Sequence, residues 1–334
     1  MTITARAVHL AERPVGLPTD ATWSIQTRDL APPKDGEVLV KPTHLSIDPA
    51  MRGWVREAHV YMPTLAIGDV MHAFGIATVL ESRHPSFQPG DTVSGLLGVT
   101  DHANIRGDAL TPVDLSLAPA PTWLGALGQT GITAWFGLFD VAKAKPGDTV
   151  LISGAAGAVG SVAGQLAKAH GCHVIGIAGG QQKTRWLTDE LGFDAAVDYK
   201  NGDIYEQVRA AAGQGIDCFL DNVGGDALNA ALAVLNQGAR VAICGAISTY
   251  NATDPIVGPS NYLSLLRKRA SMAGFLVFDY EDRYSEAVEG LTALMGEGRL
   301  VSPEHVVAGG VDRFPEALLM LYNGLNTGKL VLEM

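Results

Sequence analysis

Leu151-Ile152-Ser153-Gly154-Ala155-Ala156-Gly157-Ala158-Val159-Gly160 sets the architecture of this chain. An apolar run enters closely spaced glycines, and a helix-forming segment continues as far as Lys168. A phosphate-binding strand, turn and helix are written in that order. Glycine serves where backbone must approach a ligand closely, because a Cβ would block the way. Gly157, Ala158, Val159 and Gly160 are therefore the expected seat of a dinucleotide pyrophosphate, which would face backbone N–H groups and a helix N-terminus. The spacing, Gly-x-x-Gly-x-x-Gly, departs from the common dinucleotide fingerprint, and the same letters also fit a plain tight turn before a helix.

The residues beyond the helix narrow the choice of dinucleotide. About 20 residues past such a turn, an NAD-binding chain usually places an Asp or Glu for the ribose hydroxyl. This chain has Gly179-Gly180 and then Lys183. A carboxylate there would repel a 2′-phosphate, whereas a small backbone turn followed by a cation accepts one. The expected cofactor is NADP(H), with Gly180 and Lys183 at its 2′-phosphate and Arg185 as a helper. Most lysines are simply solvated, and Lys183 departs from that rule only by its position just after the second strand.

On both sides of the glycine turn, residues 126–298 alternate apolar runs with helical segments. Strands are expected at 149–153, 173–178, 195–198, 218–222, 240–245 and 271–277, and helices at 161–169, 183–191, 204–212 and 227–235. That alternation predicts an α/β fold with a doubly wound parallel sheet and helices on both faces. Residues 1–125 are rich in Pro and Gly, with short alternating runs such as Glu37-Val38-Leu39-Val40-Lys41, and predict a β-rich, barrel-like domain. The tail, 299–334, returns to strand, turn, helix and strand.

The length of 334 residues fits about two domains. A net charge of −11 offers no basic face for a polyanion, so nucleic acid is not an expected partner. The segment Met1–Arg6 lacks the apolar core of a signal peptide and no apolar stretch reaches membrane-spanning length, so a cytoplasmic protein off the membrane is expected. The three cysteines, Cys172, Cys218 and Cys244, sit in apolar strand-like contexts without Cys-x-x-Cys spacing, and are expected to be buried thiols rather than ligands or disulfides.

Ordered segments along nearly the whole chain resemble one family. They include Asp48-Pro49 with Met51-Arg52-Gly53-Trp54, Thr130-Gly131-Ile132-Thr133-Ala134, and the glycine turn with Gly164-Gln165-Leu166-Ala167-Lys168. Asp198-Tyr199-Lys200, Asp221-Asn222-Val223-Gly224-Gly225, Cys244-Gly245-Ala246-Ile247-Ser248, Pro259 with Asn261-Tyr262, Gly274-Phe275-Leu276-Val277 and Asn326 with Gly328-Lys329 continue it. The pattern resembles the medium-chain dehydrogenase/reductase superfamily, in its zinc-less branch of NADP-dependent alkenal, prostaglandin and curcumin reductases. The resemblance implies a GroES-like domain, 1–125, completed by 299–334, with the Rossmann domain inserted, and a homodimer. It implies hydride transfer from NADPH to the β-carbon of an α,β-unsaturated ketone or aldehyde, followed by protonation at the α-carbon. It places Asn222 near the nicotinamide ribose, and Tyr199, Cys244, Gly245, Ile247, Ser248, Tyr250, Phe275, Leu276, Val277 and Asn326 along the rest of the dinucleotide. Singly, Tyr199 also reads as a strand residue, Phe275 as core and Asn326 as a helix-terminal turn residue.

Hydride addition to an enone puts negative charge on the carbonyl oxygen, and Tyr262 is the expected hydroxyl donor to it. A phenol at a domain boundary is the alternative reading of that residue. The segment His44-Leu45-Ser46-Ile47-Asp48 holds no cysteine, and the region where zinc enzymes carry Gly-His-Glu reads His72-Ala73-Phe74-Gly75, so no metal is expected. Departures from the family fall at Ala50 and Val99, where aromatics are usual, at Phe74 in place of glycine, at Gln129 in place of methionine, and at His102 in place of an aromatic. They imply a reshaped substrate pocket, with His102 read as an exposed loop histidine rather than a new acid. A quinone reductase of the same superfamily, and an NADPH-binding protein without turnover, are the competing expectations.

Overall fold

The computed structural model describes residues 3–57 and 62–334; Met1 and Thr2, part of the segment read for a leader, lie outside the described residues. The chain divides into two compact units. One comprises the residues up to Leu124 with Glu304–Asn326 and Leu330–Met334; the other comprises Gly125–Pro303 and Thr327–Lys329.

In the first unit, β1 (Ile3–Leu10) pairs antiparallel with β2 (Trp23–Leu30). β3 (Glu37–Ser46) leads through the short helix α1 (Met51–Trp54) to β4 (Phe74–Ser82), its antiparallel neighbour. β5 (Thr92–Leu96) pairs with β4, β6 (Ala103–Arg106) with β3, and β7 (Thr111–Pro112) with β5, before helix α2 (Ala120–Leu124). Alternate side chains enter one core, where Val8, Leu10, Val38, Val40, Leu45, Met51, Trp54 and Val99 are buried. Arg52 is buried too, and its guanidinium donates to the carbonyls of Pro14 and Gly16, both at 2.9 Å, which ties the segment after Asp48-Pro49 to the N-terminal loop.

In the second unit, α3 (Gln129–Phe136) runs into a π-helical turn, Gly137–Val141. Then strand and helix alternate: β8 (Thr149–Ser153), α4 (Ala158–Ala169), β9 (His173–Ala178), α5 (Gln181–Asp189), β10 (Ala195–Asp198) and α6 (Ile204–Ala212). β11 (Ile216–Asp221), α7 (Gly225–Ala233), β12 (Leu235–Ile243), α8 (Ile247–Tyr250), α9 (Leu263–Lys268), β13 (Ser271–Gly274) and α10 (Tyr284–Gly296) complete it. The strands form one sheet in the order β10-β9-β8-β11-β12-β13. Every pairing in it is parallel, the doubly wound arrangement expected from the alternation. The strand order reverses between β8 and β11, and ligands of such sheets bind outside the carboxyl ends at that point.

The sheet and α4 approach closely because two glycines flank one ring. A Cβ on Gly164 of α4 would run into the Phe193 ring, and one on Gly176 of β9 would lie 2.9 Å from it. Some boundaries differ from expectation. α4 begins at Ala158, immediately after the glycine turn, β12 begins at Leu235 rather than Arg240, and β13 ends at Gly274. Between β11 and β12 the register shifts after Ile216, so the early part of β12 pairs irregularly and has no simple strand pattern.

The chain then re-enters the first unit through β14 (Glu304–Ala308), α11 (Phe314–Tyr322) and β15 (Lys329–Glu333). β15 pairs antiparallel with β3, Val331 opposite Ser46, and Phe314 meets Trp23 edge-on with ring centroids 5.2 Å apart. No helix among the described residues is long and apolar enough to cross a membrane.

Candidate active site

The glycine turn leaves β8 at Gly154, which has φ +58, and closes with the Gly157 amide donating to the Gly154 carbonyl at 2.9 Å. Gly157 caps α4 without a side-chain hydrogen bond, so the first-turn amides at Ala158, Val159 and Gly160 have no side-chain acceptor at the cap. A Cβ on Gly160 would collide with the Gly154 carbonyl oxygen. Only glycine lets the helix start this close to the turn. Gly328 donates to the Ala156 carbonyl at 2.8 Å and so braces the same turn from the C-terminal segment.

At the end of β9, Gly180 takes φ +93 as the cap of α5, a conformation that favours glycine. Its amide donates to Asp198 Oδ1 at 2.7 Å, and the Lys200 amide donates to the same oxygen at 3.0 Å. The Asp198 carboxylate therefore holds two backbone turns together. The Tyr199 ring lies over Gly179, 2.8 Å from where a Cβ would stand, and remains half exposed. Lys183 is half-buried; burial, and then the charge of Lys200, hold its ammonium below the usual lysine range. Lys183 and Lys200 are close enough for their charges to repel.

At the strand-order reversal, β8 and β11 end side by side in Ser153 and Asp221, both fully buried. The Asp221 carboxylate accepts from Ser153 Oγ at 2.7 Å and from the amides of Val223 and Gly224 at 3.0 Å. Burial pushes this carboxyl above the usual range, partly offset by those three donors. Asn222 donates its amide to Ser153 Oγ at 2.8 Å and its Nδ2 to the Ser153 carbonyl at 2.7 Å. The Asp221 carbonyl accepts from Cys244 and Gly245, Ile247 donates to the Asn222 carbonyl, and Ser248 Oγ donates to the Val223 carbonyl at 2.6 Å. Tyr250 accepts from the Ala246 amide through its hydroxyl. Asn222, Cys244, Gly245, Ile247, Ser248 and Tyr250 thus belong to one laced pair of loops. Burial pushes the Cys244 thiol to about 12, so it is held as an unreactive thiol.

The remaining residues are placed differently. Phe275 packs its ring against Gly137, 2.7 Å from a Cβ built there, so its side chain is a packing group. Leu276 and Val277 come next in the chain, beyond β13. Tyr262 immediately precedes α9, is 57% exposed, and its hydroxyl makes no hydrogen bond among the described residues. The segment before it is pinned to α7: Asn261 Nδ2 donates to the Asn229 carbonyl at 2.8 Å and the Ser260 amide donates to Asn229 Oδ1 at 3.1 Å. Asn326 is buried in the first unit. Ser153, Asp198, Asn229 and Gly328 are organisers to which the sequence reading gave no role of their own. Ser153 stood within the quoted stretch, but its partner lies 68 positions away.

Of the positions that depart from the family, Val99 is fully buried in the first core and Phe74 packs near Trp54, ring centroids 6.4 Å apart. Ala50 packs against the same core, and Gln129 opens α3, its carbonyl accepting from Thr133 Oγ1. His102 was expected as an exposed loop histidine; its ring is largely covered and meets the Asp101 carboxylate at 3.1 Å.

Residues 6–113 match a family described as the N-terminal domain of oxidoreductase, and residues 158–293 one described as zinc-binding dehydrogenase. The NADPH-dependent curcumin reductase of Escherichia coli is 38% identical, the alignment covering 97% of this chain and 95% of the relative. The NADP(+)-dependent 2-alkenal reductase of Nicotiana tabacum is 36% identical, over 98% and 97%. The chain belongs to the medium-chain dehydrogenase/reductase superfamily. CurA of Vibrio vulnificus, solved in complex with NADPH, is 38% identical with a TM-score of 0.93, covering 98% of this chain and 99% of that one. Membership makes the chain an oxidoreductase. Zinc, which one family description names, does not fit the residues present: among the described residues no three His, Cys, Asp or Glu side chains group to hold a metal ion. His44 instead contacts the Thr43 hydroxyl and His72 packs near Trp54, and burial pushes both imidazoles below their usual range. A dinucleotide does fit, because the turn at Gly154–Gly160 is a cradle that a Cβ would fill.

Proposed function

We propose that this medium-chain dehydrogenase/reductase reduces the C=C double bond of α,β-unsaturated ketones or aldehydes with NADPH, without zinc. One observation carries the cofactor half. A glycine cradle at the end of β8 lies in the same unit as Gly180 and Lys183 after β9, where the sequence has no Asp or Glu. The names of the curcumin and 2-alkenal reductases support the substrate class.

In this reading the amides at Gly157, Ala158, Val159 and Gly160 hold the pyrophosphate, and Gly180 and Lys183 hold the 2′-phosphate, with Tyr199 beside it. Asn222, Cys244, Gly245, Ile247, Ser248 and Tyr250 line the path toward the nicotinamide, with the backbone at Phe275, Leu276 and Val277. NADPH, when bound, would supply the hydride that adds to the β-carbon, and a proton from solvent would complete the saturated product at the α-carbon. Tyr262 donates its phenol proton in a hydrogen bond to the carbonyl oxygen as charge develops there, worth roughly 3 kcal/mol in a dry site. Its hydroxyl has no competing partner among the described residues.

The first unit is the GroES-like substrate domain and the second the Rossmann domain. The enzyme works as a homodimer, a reading supported by β13, a sheet-edge strand whose four residues are all exposed. A cytoplasmic location is supported by three cysteines that are all free thiols.

The test tracks NADPH absorbance with short enals, aryl enones, long-chain keto-lipids and quinones. Consumption with the saturated carbonyl compound as product is expected. Recovery of an allylic alcohol, or turnover confined to quinones, overturns the assignment. Tyr262→Phe is expected to lower kcat about a hundredfold while NADPH affinity is retained.

A further inference from the structure

From the junction of β8 and β11 we infer that Ser153 is a positioning residue for the cofactor: with Asp221, it fixes Asn222 so that its carboxamide oxygen is presented as a hydrogen-bond acceptor. The inference rests on the cofactor reading above. The Ser153 hydroxyl donates to the Asp221 carboxylate at 2.7 Å and accepts the Asn222 amide at 2.8 Å. A hydroxyl has one proton, and giving it to the carboxylate turns the oxygen lone pairs toward Asn222. The Ser153 carbonyl, which can only accept, takes Asn222 Nδ2 at 2.7 Å. That bond decides which way the carboxamide faces. Its NH2 group points at β8, and its oxygen is left without a hydrogen bond among the described residues.

Asp221 keeps the arrangement rigid. It is fully buried, its carboxylate accepts from Ser153 Oγ, Val223 N and Gly224 N, and no cation pairs with it among the described residues. A buried carboxylate without a counter-ion is costly unless its donors stay in place. The turn that carries Asn222 is therefore bound to β8 through one small side chain. An acceptor held in this way selects a donor group, and the sugar hydroxyls of a dinucleotide are donors of that kind.

The experiment measures dissociation constants for NADPH and for 2′,5′-ADP, which lacks the nicotinamide half, in the intact protein and in Ser153→Ala, Asn222→Ala and the double variant. Each single substitution is expected to weaken NADPH about tenfold and to leave 2′,5′-ADP within about twofold. The double variant is expected to be no more than about twofold weaker than Asn222→Ala alone, because Ser153 acts through Asn222. Losses that multiply in the double variant, or equal losses for both ligands, overturn the inference and leave the cofactor reading intact. Unchanged NADPH affinity in Asn222→Ala instead removes Asn222 from the cofactor site, and the inference with it. Should Ser153→Ala not fold, Asp221→Asn is carried through the same cycle with the same expected outcomes.

Discussion

In the proposed reading, cofactor choice turns on Lys183. Its ammonium is half-buried near Lys200, and both effects hold its affinity for protons below that of a solvated lysine. A dianionic 2′-phosphate placed there repays that cost, whereas a ribose hydroxyl does not. Lys183→Ala is expected to weaken NADPH at least tenfold and NADH by less than twofold, measured as paired dissociation constants. The pH dependence has a definite sign. The phosphate is fully charged above its second pKa of about 6, so from there upward the lysine alone titrates. As pH rises through the lowered lysine pKa the cation is lost, and the preference for NADPH over NADH should decline at lower pH than an ordinary lysine would permit. A preference that is flat into the alkaline range, or unchanged in Lys183→Ala, would remove Lys183 from the site.

Among the elements, α4 depends on small residues for its place. Gly160 lets it start against the turn, and Gly164 lets it lie on the Phe193 ring. Gly164→Ala removes the helix penalty of glycine but forces a Cβ into that ring, and the overpacking outweighs the gain. A loss of about 1–3 kcal/mol in urea unfolding is expected, with part of it recovered when Phe193→Leu is added. The central strands were legible because parallel strands buried on both faces are continuous apolar runs, as Leu151, Ile152, Val174 and Ile175 show. Their ends were less so. β13 was expected to reach Val277 and stops at Gly274, just before Phe275 turns its ring onto Gly137. The glycine turn was legible because it is local. Ser153 with Asp221, and Asn229 with Asn261, were not, because each is a hydrogen bond between segments that only the fold makes neighbours.

For the whole molecule, the expected homodimer must be reconciled with a charge of −11 on each copy. Long-range repulsion between two such chains is screened at physiological salt, where the Debye length is about 8 Å, so a local apolar surface can decide the outcome. The edge strand β13 offers unpaired backbone and an exposed Met272, and Leu263, Leu266 and Leu276 are exposed on the flanking segments. An open edge beside exposed leucines is a liability for a monomer and a template for a second copy. Arg267, Lys268 and Arg269 come next on α9 and its cap, bringing positive charge to a negatively charged protein. Sedimentation equilibrium should therefore show a dimer, and Leu266→Glu with Met272→Lys should raise the dimer dissociation constant at least a hundredfold while NADPH affinity stays within about twofold. Neither side chain belongs to the loops at Gly154, Gly180 or Asn222, so a loss of cofactor affinity in step with dissociation would mean that a second copy helps to build the site. A wild-type protein that sediments as a monomer at micromolar concentration would leave β13 as a bare edge and end the dimer reading.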